Sequence, residues 1–237
     1  MARTTSRKLR EREEREELIL DHAQRLLQRD GFQGLNLDEL ARAVEYSKGT
    51  LYLHFETKED LALSICTRAM RLRANLFERA YAFQGSSRER ISAIGYAARK
   101  WSRDYPDMLR VQMMLKSLSF WERASEDRRR LHGIEAGRTF HHLNQIVIEA
   151  LIAGDLPAGT HPPLVTLSLS SATLGSEVAA NDADLQMLSG QADPGIMTRM
   201  CQDRMCDGWQ WRPLSTSANW NYPAVEARLR AKIFTED

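Results

Sequence analysis

The sequence has no long apolar run. Nowhere do the roughly 18 uninterrupted apolar residues of a membrane span occur, so no membrane partner is expected. The basic and acidic opening residues lead into no apolar core of a secretory signal, which makes a cytoplasmic location the expectation. Cysteine is scarce: Cys66, Cys201 and Cys206 are three, an odd number without metal-ligand spacing, which suits buried thiols in a reducing compartment rather than a disulfide framework. Charge of one sign is missing too, with 33 Lys and Arg against 32 Asp and Glu. Residues 1–60 hold 11 basic and 13 acidic side chains, so bulk electrostatics cannot argue for nucleic acid. No H-E-x-x-H, G-x-S-x-G or phosphate-binding glycine loop occurs. His141 and His142 are adjacent, hence about 100° apart on a helix, and His141 does not share a face with His132 nine positions earlier. No catalytic residue, metal or cofactor is expected, and an enzyme is the distant alternative.

What is present is helical punctuation without strand alternation. In 237 residues, 43% hydrophobic, almost every segment carries a helix start or stop. Arg3, Arg7, Lys8, Arg10 and Arg12 form a basic arm over residues 1–12. A helix is predicted over 10–29, with Ile19, Ala23, Leu26 and Leu27 on one face, stopped at Gly31. Asn36 caps a short helix bearing Leu37, Leu40 and Ala41, with Glu39 positioned for a capping box. Ser47 caps the next, and Thr57 a longer one running towards Phe83. Further helices are predicted near 88–103, 106–121, 124–153, 162–180 and 193–209, and a last one starts at Pro223.

Two helices of about 37–43 and 47–54, joined by Val44-Glu45-Tyr46, are too short to stand alone. Clamped on the first helix, they make a helix-turn-helix whose third helix has a free outer face of the width of a major groove. Ser47, Lys48 and Thr50 occupy its first turn, where backbone N–H groups and the helix dipole favour phosphate. Gly49 lets the backbone approach closely. Tyr52 and His54 can donate to phosphate, Lys58 adds charge, and Lys48, Thr50 and Leu53 are the candidates for reading bases.

The run Gly31-Phe32-Gln33-Gly34-Leu35-Asn36-Leu37-Asp38-Glu39-Leu40-Ala41, followed by Ser47-Lys48-Gly49-Thr50-Leu51-Tyr52-Leu53-His54-Phe55 and Lys58-Glu59-Asp60-Leu61, resembles the TetR family of bacterial transcriptional regulators. The resemblance covers roughly 50 residues in register. It implies phosphate contacts at Lys48, Thr50, Tyr52, His54 and Lys58, with Asn36 at a cap that usually carries Thr or Ser. The turn departs from the family's A-G-V, and a left-handed Glu45 in place of glycine would cost roughly 1–2 kcal/mol.

The resemblance further implies an all-helical chain in two parts. A DNA-binding domain would cover 13–73, with the helix-turn-helix proper at about 37–56, and a larger helical domain at 74–237 would dimerise and bind an effector. Leu164, Leu167, Ser171, Leu174 and Val178 recur at three- and four-residue steps, and with Met197 and Met200 they are the expected homodimer seam. Tyr96, Trp101, Met113, Met114, Phe120, Trp121, Phe140 and His141 are the candidate lining for a moderately hydrophobic small-molecule effector. The expected function is a repressor that leaves a near-palindromic double-stranded operator when the effector binds. The alternative is a helix-turn-helix protein without a small ligand, architectural or protein-partnered.

Overall fold

Helix begins almost at once. In the computed structural model, which describes residues 2–114, 118–188 and 193–235, the chain is helical from Ala2. The side chains of residues 2–6, 9, 114, 118, 119, 181, 183 and 188 lie outside that description. Twelve helices and no strand occur among the described residues. They fall into two compact units, the first comprising residues up to Arg71 together with Tyr105–Glu135, the second Leu72–Asp104 and Ala136–Asp237.

The first unit holds α1 (Ala2–Gly34), α2 (Leu37–Ala43), α3 (Lys48–His54), α6 (Pro106–Met114) and α7 (Leu118–Arg123). It also takes the N-terminal parts of α4 (Lys58–Tyr81) and α8 (Glu126–Ile152), up to Arg71 and Glu135. α1 contains one break, at Gly31, with φ 68° and ψ −179°, a left-handed geometry that glycine adopts without a Cβ clash. The basic arm is thus helix rather than free chain. Arg7 pairs with Glu11 at 2.7 Å and Arg12 with Glu16 at 3.3 Å, each one turn apart. The seven-residue helices α2 and α3 persist because Leu40, Ala41 and Leu51 are buried with Ile19, Ala23 and Leu26 of α1 in one apolar cluster. Val111, Phe120 and Ala124 belong to the same cluster, and Phe32 meets Phe120 edge to face at 5.3 Å. Residues 105–135, which the sequence reading puts in a domain of 74–237, therefore pack in the first unit. Of the helix predicted over 106–121, the described residues hold Pro106–Met114 as α6 and the start of α7 from Leu118, and 115–117 lie outside the described residues.

The second unit contains the remainder of α4 and α8 with α5 (Ser87–Asp104), α9 (Pro162–Asn181), α10 (Ala183–Leu188), α11 (Pro194–Gly208) and α12 (Tyr222–Lys232). α9 packs along α11, and α5 packs on both α11 and α12. Trp101, Trp211, Phe83 and Phe234 are among its fully buried side chains. Arg88 is buried with them. Its Nη2 donates to Asp203 at 3.3 Å and Asp207 at 3.1 Å, and its guanidinium covers the Trp220 ring. Desolvation pulls the Arg88 pKa down and pushes the Asp203 carboxyl up, although each faces the other's charge. Asp207 also accepts the Ser215 N–H at 2.9 Å, which ties the irregular stretch after α11 to this core.

Candidate nucleic-acid interface

The two short helices of the first unit are held by local chemistry. Asn36 Oδ1 accepts the N–H groups of Asp38 (2.8 Å) and Glu39 (3.3 Å), capping α2. The Glu39 carboxylate, expected to close a capping box, instead accepts from Arg29 Nη2 at 2.9 Å, a stronger charge-assisted partner. At the other end of α2 the Tyr46 N–H reaches the Ala41 carbonyl and the Glu45 N–H the Arg42 carbonyl, the two bonds of a Schellman motif. Glu45 sits at its left-handed position with φ 57°, and Tyr46 packs against the apolar cluster. The turn therefore keeps a left-handed residue without a glycine and bears the strain.

Ser47 then caps α3. Its Oγ accepts the Thr50 N–H at 3.0 Å and shares a 2.8 Å hydrogen bond with Thr50 Oγ1. Leu51 is buried, while Lys48, Gly49, Tyr52 and Leu53 are exposed, Leu53 to 79%. A Cβ on Gly49 would meet only Ser47 Oγ, at 3.7 Å, an ordinary contact. Lys48 Nζ lies 3.0 Å from Asp38, whose carboxylate raises the lysine's pKa by hydrogen bond and charge. Lys58 is half-buried; its Nζ donates to the Gln33 carbonyl at 3.1 Å and lies over the Phe32 ring.

His54 is the exception. Its side chain is only 8% exposed and its Nδ1 lies 3.3 Å from Glu16 Oε1. Three residues beyond buried Leu51, it shares that residue's face rather than the outer one. The residue-by-residue transfer of a phosphate role to His54 does not fit this orientation, which the contact with Glu16 sets. Sequence reasoning also missed Glu16 and Arg29, whose partners lie on other helices.

The other expected sites divide. Leu164, Leu167, Ser171 and Val178 of α9 face outward together, Leu174 is half-buried, and on the adjacent α11 Ile196 and Met200 are exposed while Met197 is half-buried. The candidate effector lining is not brought together within either unit. Tyr96 and Trp101 are buried in the second, Tyr96 against Phe234 and Trp101 beneath Arg73. Phe140 and His141 of that unit face outward, because buried Thr139 and Leu143 take the inner face of α8. Met113, Phe120 and Trp121 lie in the first unit, where Phe120 is committed to Phe32, and the Met114 side chain is outside the described residues. Among the described residues no group of three or more His, Cys, Asp or Glu could hold a metal ion, and no helix is long and apolar enough to cross a membrane.

Residues 19–65 match the family described as bacterial regulatory proteins, tetR family. A stretch of 53 residues is 42% identical to the HTH-type transcriptional regulator YerO of Bacillus subtilis (strain 168), covering 22% of this chain and 18% of that protein. The fold is similar to that of FadR from Bacillus subtilis, solved in complex with stearoyl-CoA, at a TM-score of 0.64 and 16% identity over 81% of this chain and 97% of the other. It is similar also to PfmR from Thermus thermophilus, at a TM-score of 0.57 and 18% identity over 79% of this chain and 96% of the other.

Proposed function

We propose that this chain, whose residues 19–65 match the tetR family of bacterial regulatory proteins, is a dimeric, sequence-specific DNA-binding transcriptional regulator whose α3 enters the major groove of operator DNA. The observation that carries this reading is Gly49. Its own fold leaves room for a side chain there, and glycine inside a helix costs roughly 1 kcal/mol relative to alanine. A bare, exposed backbone kept at that cost suits the close approach of an outside body. Around it stand the groups a duplex calls for. Lys48 supplies charge for a phosphate or a guanine edge, Tyr52 a hydroxyl for a phosphate, and Leu53 an apolar contact for a thymine methyl. In the Ser47–Thr50 hydroxyl pair one O–H donates to the other, which leaves the second O–H free for a phosphate. His54 drops out of this set. Lys58 and Asn36 belong to it only as supports, Lys58 being half-buried over Phe32 with its Nζ on the Gln33 carbonyl and Asn36 capping α2.

The exposed apolar stripe of α9 and α11 supports a homodimer in which these helices pair with their symmetry mates. Two copies of α3 would then meet successive turns of one groove, about 34–36 Å apart, on a near-palindromic site. Repression relieved by a small effector is the finer reading, and stearoyl-CoA in FadR favours an acyl-CoA as the first ligand to try. The whole protein acts in the cytoplasm as a regulator and not as an enzyme on this proposal.

Selection of fragments from the source's own genomic DNA by the full-length protein tests the core of it. Enrichment of a shared, two-fold-related sequence is expected, with affinity falling steeply as salt rises. Recovery of no sequence above bulk, or Lys48→Ala and Tyr52→Ala variants that bind like the parent, would remove the assignment. Stearoyl-CoA added to the protein–DNA complex should release the fragment. A complex indifferent to it would favour another effector or the ligand-free alternative.

A further inference from the structure

The short recognition helix is gripped at its C-terminal end by a residue far away in sequence. Arg128, in the first turn of α8, donates from Nη2 to the His54 carbonyl at 2.7 Å. Its guanidinium lies over the Phe55 ring, 4.8 Å from the centroid, and both terminal nitrogens reach Glu16 Oε2 at 3.5 Å. Glu16 is a hub: its other oxygen meets Arg12 Nε and His54 Nδ1, each at 3.3 Å. The Arg128 side chain is only 19% exposed, so solvent screens the arrangement weakly. One turn before it, the Ser125 N–H donates to Asp60 Oδ1 at 2.6 Å, and Asp60, in the first turn of α4, is almost wholly buried. The start of α8 is thereby fixed to the segment that follows α3.

A seven-residue helix needs tertiary support, and its last carbonyls are where a cation acts best. On the reading that α3 binds DNA, we infer that Arg128 is a positioning residue for that binding. It holds the end of α3, and so the direction in which Lys48, Tyr52 and Leu53 point, without touching DNA itself. α8 runs on to Ile152, and its residues from Ala136 belong to the second unit, so the clasp puts the recognition helix one covalent element away from that unit.

Arg128→Gln, Arg128→Lys and Glu16→Gln in the full-length protein test this through two readouts. The first is hydrogen exchange of the amides of residues 51–55 against those of 19–27 in α1. In Arg128→Gln the 51–55 amides are expected to exchange about tenfold faster while α1 is unchanged, with Arg128→Lys restoring part of the protection. The second is binding to genomic fragments retained by the parent, measured as salt is varied. About a tenfold loss with an unaltered slope of log affinity against log salt is expected, because no phosphate contact is removed. A slope reduced by about one would make Arg128 a phosphate contact, and unchanged exchange at 51–55 would dismiss the clasp. Should Arg128→Gln fail to fold, Glu16→Gln carries the same two comparisons. Failure of the parent to retain any fragment would sink the regulator reading, while the exchange data still judge the clasp.

Discussion

α3 and the α9–α11 pair are both exposed, and in opposite ways. α3 shows solvent one lysine, a bare glycine backbone, a phenol and a single leucine. α9 shows a row of aliphatic side chains, with Leu164 53% and Leu167 57% exposed, continued on α11 by Ile196 and Met200. The first surface keeps water and charge within reach, which suits a hydrated polyanion. The second gains only by leaving water, which suits another protein surface. Exposure alone names no partner; what is exposed does.

The sharpest way to break this contrast is to charge the dry face. Leu164→Glu with Leu167→Glu is expected to give monomers in sedimentation velocity with helix content retained. Operator affinity should fall by roughly a hundredfold or more, because two tethered recognition helices become one. A surviving dimer would move the interface elsewhere. On the wet face, Gly49→Ala separates folding from binding. The melting temperature should stay level or rise, by up to about 1 kcal/mol of helix propensity, while operator binding weakens about tenfold because the added methyl holds the backbone off the duplex. Equal binding would leave Gly49 without a role at DNA.

Glu45→Gly asks the complementary question, whether a change beside the recognition helix can act on the fold alone. Its φ of 57° costs an L-residue energy that glycine avoids. After glycine's larger loss of chain entropy, a gain of about 1 kcal/mol in stability is expected in thermal unfolding, with operator affinity within about twofold of the parent. A loss of stability would mean that the Glu45 side chain offsets its own backbone strain.

What was legible in the sequence was whatever is decided within a few residues. The Asn36, Ser47 and Thr57 caps, the left-handed Gly31 and the strained Glu45 all rest on side-chain or backbone geometry inside one turn. The inward turn of His54 was not among these, since Lys48 and His54 both stand three residues from buried Leu51 and only His54 is met by Glu16. Contacts that depend on where another helix arrives were not readable. Glu39 serves Arg29, ten residues back, instead of its own helix end, Asp60 receives Ser125 across 65 positions, and Arg128 reaches His54 across 74. For the same reason, Met113, Phe120 and Trp121 looked like neighbours of Tyr96 in sequence and belong to a different packed unit.

The smallest expected effect separates the two units by their histidines. Burial alone lowers the pKa of His132 in the first unit; in the second, His142 is lowered by burial and then by the charges of His141 and Arg138, with Glu78 opposing. Both shifts run down from 6.5, so between each folded-state value and 6.5 the unfolded chain holds a proton that the folded one refuses. Stability from this source is complete above 6.5 and is lost as pH falls through the range below it. His132→Asn keeps a polar partner for Thr67, whose Oγ1 lies 3.3 Å from the ring Nδ1, and removes the titration. Its melting temperature, taken from neutral to mildly acidic pH, should fall less steeply than the parent's, and the slope that remains should flatten again when His142→Asn is added. If His132→Asn alone leaves the slope unaltered, His132 does not carry the acid sensitivity assigned to it.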